Sequence, residues 1–310
     1  QRRDKIGWFM NLIKPKKLNQ GDTICIIAPA GEVDEPKISK AKQYFENKGF
    51  NVKLGSNITK QKNYLAGEDS ERLNDLENAF KDKNINAIVC ARGGYGAIRL
   101  INKLDYNLIK NNPKIFCGYS DITALSAMIF KKTGLITFSA PMAQSDFSSE
   151  KTNTFTENKF FQTLTQNISE IRPTNPKIYK SGNAKGLLIG GNLSTLTSLC
   201  GIDFIPDKDF VLFAEDLNEP AYKIDRYFTQ LLNIEDLKKH IKGIILGDFL
   251  DLDNEKYFDD LIYLIANEYS IPIYGGYPIS HSDTKATIPY GAMAKIEDDR
   301  IKISPYLSDN

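Results

Sequence analysis

The sequence predicts an α/β protein, with an N-terminal parallel-sheet domain and a smaller C-terminal α/β domain. Two observations carry this reading. From residue 22 to about 138, short apolar runs alternate with amphipathic stretches, the pattern of parallel strands covered by helices on both faces. Between 145 and 186 the chain turns polar and rich in turn residues, and a second alternation then begins. The expected divisions are an N-terminal extension over 1–14, a first domain over 15–145, a linker over 146–185 and a second domain over 186–310.

In the first domain, strands are expected over 23–29, 52–54, 87–91 and 115–117, with a last one over 135–138. Helices are expected over 37–48, closed by Gly49, and over 70–80, 95–104 and 122–130. The linker carries a short helix around 158–165. The second domain alternates strands over 187–189, 211–213, 244–246 and 271–274 with helices over 193–199, 221–232 and 257–268. Two final strands, over 292–296 and 300–303, flank Glu297-Asp298-Asp299 as a hairpin.

Composition excludes several classes. Hydrophobic residues make up 41% and charged residues 25% of 310, with a formal net charge of +1 and no basic stripe of the kind that binds nucleic acid. No apolar run approaches the ~20 residues of a membrane span. Residues 1–13 faintly resemble a signal peptide, but Lys14-Pro15-Lys16-Lys17 follows without a small-residue cleavage site. Met10 reads as a natural start, with the first nine residues an upstream extension. Cys25, Cys90, Cys117 and Cys200 lie in or beside apolar runs without a Cys-x-x-Cys pair, which predicts buried thiols rather than disulfides or a zinc site.

The segment most suggestive of chemistry is Gly118-Tyr119-Ser120-Asp121, between an apolar strand and an apolar helix. A serine there presents its hydroxyl at the carboxyl edge of a sheet, over the free N–H groups of a helix start. Ser120 or Asp121 reads equally as an ordinary helix cap. Only two histidines exist. His240 ends a lysine-rich helix, where a cation meets the helix dipole. His281 lies in a loop leaving a buried strand, where functional groups gather. Glu215 follows an apolar strand and suits either an imidazole partner or, with Asp216 and Glu219, a helix-capping cluster. The run Arg92-Gly93-Gly94-Tyr95-Gly96 permits close backbone approach to an anion, yet fits neither a dinucleotide fingerprint nor a P-loop. Asp248 to Glu255 is acid-rich but lacks the glycine and the final carboxylate of an EF-hand.

Taken in order, six segments resemble the LD-carboxypeptidase family of serine peptidases. They are Gly21-Asp22-Thr23-Ile24 with Ala28-Pro29-Ala30-Gly31, then Arg92-Gly93-Gly94-Tyr95-Gly96, Gly118-Tyr119-Ser120-Asp121 and Gly190-Gly191-Asn192-Leu193. Phe213-Ala214-Glu215-Asp216 with Tyr222 to Arg226, and Gly275-Gly276-Tyr277-Pro278 leading to His281, complete the set. The resemblance covers about residues 15–305 and implies a site in the cleft between the domains. It implies Ser120 as nucleophile, Glu215 as orienting acid and His281 as base. Asp121, Gly93 and Gly94 become backbone donors to an oxyanion, with Arg92 and Lys285 as candidates to hold a substrate carboxylate. The loop before the histidine departs from the family, which ends it Gly-His where this chain has Ser280-His281.

The implied reaction is release of D-Ala from a murein tetrapeptide, without metal or organic cofactor. Murein peptides are the expected partner, a homodimer the expected assembly, and the cytoplasm the expected compartment; a processed N-terminus would allow the periplasm. One alternative is a hydrolase of peptidyl-adenylate antibiotics of the microcin type. That subgroup stacks a nucleobase on an aromatic, commonly Trp, whereas the single Trp here is Trp8. A non-catalytic two-lobed ligand-binding module is the other.

Overall fold

The computed structural model describes residues 11–309, so Trp8 and Met10 lie outside the described residues. Its first sheet has six strands in the spatial order Ile288–Tyr290, Thr137–Ser139, Ile115–Cys117, Ala87–Cys90, Thr23–Ile27 and Asn51–Leu54. The last five pair in parallel, and the central ones, Thr23–Ile27, Ala87–Cys90 and Ile115–Cys117, are the apolar, buried strands expected of such a sheet. The order reverses between Thr23–Ile27 and Ala87–Cys90, and ligand crevices open beyond the carboxyl ends of strands at such a reversal.

Local signals explain the helices. Helix Glu35–Asn47 is capped by Asp34, whose side chain accepts from the Lys37 N–H. Glu68 and Glu71 form a reciprocal capping box at the start of Asp69–Lys81. Helix Thr123–Thr133 is buried along nearly its whole length and stops at Gly134, which adopts φ 79°.

The second sheet has eight strands, ordered Glu170–Ile171, Arg300–Ile303, Met293–Glu297, Ala184–Asn192, Phe210–Leu217, Ile241–Leu250, Ile273–Gly275 and Lys177–Lys180. The central run from Ala184–Asn192 to Ile273–Gly275 is parallel, and antiparallel strands close both sides.

Three expectations change. The helix expected over 95–104 shrinks to a single 3-10 turn, Ala97–Arg99. Gly94 and Gly96 take φ 105° and 130°, and the buried Arg72 guanidinium donates to the Gly96 carbonyl, so the chain is held in a loop. Residues 146–185, expected as a linker, carry helix Thr154–Thr165 and supply strands to opposite edges of the second sheet. Finally, Ile288–Tyr290 returns to the first sheet and pairs antiparallel with Thr137–Ser139, with Pro289 tolerated because the strand lies at an edge. The chain thus crosses between the two sheets more than once.

Candidate active site

The site begins with backbone geometry. Strand Ile115–Cys117 leads through Gly118 and Tyr119 into Ser120, whose φ is 60°, a left-handed conformation a serine rarely adopts. A 3-10 turn, Ser120–Ile122, then feeds helix Thr123–Thr133. This strained strand-to-helix turn lifts the hydroxyl out of the sheet edge. Neither side chain acts as the cap that the sequence also allowed. Asp121 instead reaches back, accepting the Ala97 N–H at 2.8 Å, and burial pushes its carboxyl up to about 6 despite that bond and the nearby Arg72. The glycine turn packs directly on Ser120. A Cβ on Gly93 would lie 2.8 Å from both Ser120 Cβ and Oγ, and 3.3 Å from the Asp121 nitrogen. The N–H groups of this turn and the Ser120 hydroxyl therefore share one small volume.

From the second sheet comes a carboxylate. Glu215 lies within strand Phe210–Leu217 rather than beyond it, and is 3% exposed. Its Oε2 lies 2.6 Å from His281 Nδ1, the imidazole N–H donating to the carboxylate. The His281 loop hangs on strand Ile241–Leu250: Tyr277 N–H donates to the Leu246 carbonyl and Asp248 N–H to that of Ile279. Gly247 is required there, because a Cβ would stand 2.0 Å from the Ile279 oxygen. The Tyr119 ring meets the imidazole edge-on at 5.0 Å, so the histidine stands beside the residue preceding Ser120. Ser120 Oγ itself has no hydrogen-bond partner among the described residues.

Lys285 is 4% exposed and forms a buried ion pair with Asp146. It also donates to the Tyr119 hydroxyl at 3.1 Å and lies 4.5 Å above that ring. Its charge is thus met inside the protein, and it braces Tyr119 against the imidazole. Burial, then the charges of Asp146 and Glu215, hold the Tyr119 hydroxyl well above its ordinary range, so the phenol stays neutral. Arg92 donates from Nη1 to the Glu32 carbonyl at 3.1 Å and lies half-buried against Gly31 and Gly94. Among the described residues no carboxylate pairs with it. Beside Asp146 and Asp283 a cavity of about 520 Å³ opens, lined mainly by Ser145, Ser149 and residues 151–156.

The two sheets meet at the same place. Thr123 Oγ1 accepts the Asn192 N–H at 3.2 Å, and a Cβ on Gly191 would sit 2.6 Å from that oxygen. Asn192 caps helix Leu193–Thr197, and the Asn192 amide and the Ser194 N–H in turn donate to Asp216. Sequence reasoning had assigned no role to Tyr119, Asp146 or Thr123.

Residues 24–140 match the LD-carboxypeptidase N-terminal domain and residues 185–296 its C-terminal domain. The chain belongs to the LD-carboxypeptidase family. A probable murein peptide carboxypeptidase of Bacillus subtilis is 38% identical, across 93% of this chain and 92% of its own. A murein tetrapeptide carboxypeptidase of Pseudomonas aeruginosa is 30% identical, across 90% and 94%. Among solved structures, an MccF-like protein of Bacillus anthracis aligns with a TM-score of 0.88 at 32% identity, covering 94% of this chain and 99% of that one.

The other sequence candidates stay outside this candidate site. His240 closes helix Glu235–His240 and lies 3.2 Å from Asp209 Oδ1, a surface contact. In the acid-rich stretch, Asn254 caps helix Glu255–Tyr269 and Asp253 accepts the Ala221 N–H, so these side chains serve helix starts. Cys25, Cys90 and Cys117 are buried free thiols, and burial pushes all three upward, that of Cys25 to about 12. Cys200 is only partly buried. No helix among the described residues is long and apolar enough to cross a membrane.

Proposed function

We propose that this family member is a serine LD-carboxypeptidase that releases the terminal D-Ala of murein tetrapeptides. The observation that carries the reading is the 2.6 Å contact between buried Glu215 and His281, with the imidazole against the residue that precedes the left-handed Ser120. In the proposed reaction Ser120 Oγ attacks the carbonyl carbon of the diamino acid while His281 Nε2 takes the hydroxyl proton. Glu215 fixes the tautomer that leaves Nε2 free and stabilises the imidazolium. The N–H groups of Asp121 and of Gly93 or Gly94 receive the oxyanion. Collapse breaks the C–N bond, His281 protonates the departing amine, and water hydrolyses the acyl-enzyme.

A terminal carboxylate on the leaving residue distinguishes a carboxypeptidase from an internal peptidase. Arg92 is the proposed partner for it, since Lys285 already serves Asp146. The homodimer expected from the sequence belongs to the same proposal and is read by molecular mass in solution. Location in the cytoplasm does as well, and fractionation of cells tests it.

The test is mass spectrometry of purified tetrapeptide, pentapeptide ending in D-Ala-D-Ala, and a peptidyl-adenylate. Tetrapeptide should lose one D-Ala, and Ser120→Ala should remove at least about 10⁴-fold of that activity. Rapid release of D-Ala from pentapeptide would mean a D,D bond is cut. The adenylate arm is included because the Bacillus anthracis neighbour is named MccF-like; preference for it would transfer the site to the microcin-type reading.

A further inference from the structure

We infer that one water molecule is built into the protein beside the Glu215–His281 pair, donating to Glu215 Oε1 and accepting from Lys285 Nζ, so that the buried cation positions Glu215 and, through it, the imidazole. What this link does rests on the carboxypeptidase reading; the site itself stands on geometry. Only one carboxylate oxygen of Glu215 is engaged. Oε2 lies against His281 Nδ1, whereas Oε1 is buried and meets no donor among the described residues. A buried acceptor without a donor carries its full desolvation penalty, and a charged one carries more.

A cavity next to this carboxylate has the size and the lining for one water. It offers about 10 Å³, enough for a single water and too little for an organic group. Glu215 lines it and His281 does not, so the carboxylate meets it on the side turned away from the imidazole, that of Oε1. Lys285, 4% exposed, lines it as well. Two of the three protons of its ammonium go to Asp146 Oδ1 and the Tyr119 hydroxyl, and the third has no acceptor among the described residues. Ser139, the last residue of strand Thr137–Ser139, adds a hydroxyl that makes no hydrogen bond among those residues. Ser280 and Ala286 complete the walls, the Ser280 hydroxyl being engaged with Ser282 at 2.9 Å.

A water at this place balances every group around it. It donates one proton to Oε1 and the other to the Ser139 hydroxyl, and it accepts the free proton of Lys285. That makes three hydrogen bonds, the usual number for a buried water. With both oxygens held, the Glu215 carboxylate has a single orientation against Nδ1. Hydrogen bonds to a charged carboxylate also favour its charged form. The water therefore keeps a proton off the Glu215–His281 pair and leaves Nε2 free to act as the base. Lys285 acts at two points, on Tyr119 directly and on Glu215 through the water.

The experiment is crystallography of wild type and Ala286→Val, with the pH dependence of kcat/KM on tetrapeptide for both. Ala286→Val fills the cavity with methyl groups and removes no polar atom. Wild-type crystals should show an ordered water within hydrogen-bond distance of Glu215 Oε1 and Lys285 Nζ, and the variant should show none. With the water expelled, the pair takes up a proton more readily, so the acid limb should move up by about one pH unit. The kcat should fall about tenfold, with KM within about twofold of wild type. His281, Tyr119, Asp216 and the Lys285–Asp146 pair are the titratable groups near Glu215, and the variant keeps all of them. If Ala286→Val does not fold, Ser139→Val, which fills the same space from a second wall, should give the same shift. Wild-type crystals without that water, or an acid limb unmoved once it is expelled, would overturn the inference. Should tetrapeptide go uncut, the carboxypeptidase reading fails separately, and the crystals with the proton resonance of His281 Nδ1–H, which needs no substrate, still decide. A resonance moved by Ala286→Val supports the link, and an unmoved one refutes it.

Discussion

The Ser120 turn and the His281 loop meet where the Tyr119 ring lies against the imidazole, yet they are held in different ways. Ser120 is fixed by its own backbone: a strand enters, a helix leaves, and φ 60° is imposed between them with Gly93 packed alongside. His281 is fixed by remote side chains. Glu215 holds its Nδ1, Tyr119 lies against its ring, and Lys285, four residues on, is locked by Asp146. Thr156, on helix Thr154–Thr165, ties the loop further by accepting the Lys285 N–H at 2.9 Å and donating to the Asp283 carbonyl at 2.5 Å. A backbone-built turn should tolerate lost side-chain contacts and resist added atoms. The His281 loop, which also hangs on strand Ile241–Leu250 by backbone bonds, should be the more sensitive to lost side-chain contacts.

The largest effect is expected from the loop. Lys285→Met leaves Asp146 charged and buried without its partner, which should cost about 3–5 kcal/mol of stability. Adding Asp146→Leu removes the orphaned charge and should restore most of that stability. Activity should stay low in the double variant, because Tyr119 still lacks the cation that donates to its hydroxyl. Denaturation midpoints and turnover, measured on both proteins, check this. Recovery of stability and activity together would show that the pair does not position Tyr119.

Asp121 tests the turn through pH. Its carboxyl is raised to about 6, chiefly by burial, against an unfolded value near 3.9. The folded state therefore binds this proton more tightly, and the associated stability is present below about pH 4 and lost as pH rises through about 6. Asp121→Asn keeps an oxygen that can accept the Ala97 N–H and removes the ionisation. The variant should gain up to about 3 kcal/mol over wild type at pH 7 and almost nothing at pH 4. Urea midpoints across that window decide it; parallel curves for the two proteins would contradict the assignment.

The same contrast governs what is legible in the sequence. The Ser120 turn is written locally, as an apolar run, a glycine and an apolar helix, and its backbone follows from neighbours alone. His281 stands out because only two histidines exist, and Glu215 because a carboxylate directly follows an apolar run. The supports of the loop are not local. Asp146 lies 139 residues from Lys285, and Thr156 lies 129 residues from it, both in a stretch whose polar, turn-rich composition predicts a linker. Composition sees exposed polar residues there, whereas the fold uses Asp146 and Thr156 as buried or half-buried partners. Arg92 and Lys285 carry the same charge in sequence. Only the tertiary partners separate them: Lys285 has a buried carboxylate, and Arg92 has none among the described residues.

Gly93→Ala adds an atom to the turn. Its Cβ would stand 2.8 Å from Ser120 Cβ and Oγ, closer than such contacts are tolerated. Gly93 is not among the residues at positive φ, so the backbone itself accepts alanine and the whole effect falls on Ser120. A displacement of ~1 Å of the proposed nucleophile should cost on the order of a hundredfold in kcat. Steady-state kinetics with tetrapeptide reads it, and a variant within about threefold of wild type would mean that the turn yields more easily than its packing implies.

The smallest effect is expected at the second histidine, and it asks whether any imidazole of the second sheet would matter to the reaction. His240 lies at a helix end, 18% exposed at its side chain, with Asp209 as a surface partner 53% exposed. Two modest terms act there: attraction to the helix C-terminus and a solvent-screened ion pair, each below about 1 kcal/mol. His240→Gln keeps a donor for Asp209 and should shift stability by less than about 1 kcal/mol. The kcat and KM on tetrapeptide should match wild type, since no contact joins His240 to Ser120, Glu215 or His281 among the described residues. His281→Gln, measured in parallel, should lose nearly all turnover while denaturing at a similar urea concentration. If the two variants lost activity equally, proximity to Tyr119 and Glu215 would not be what distinguishes His281, and the catalytic base would have to be sought elsewhere.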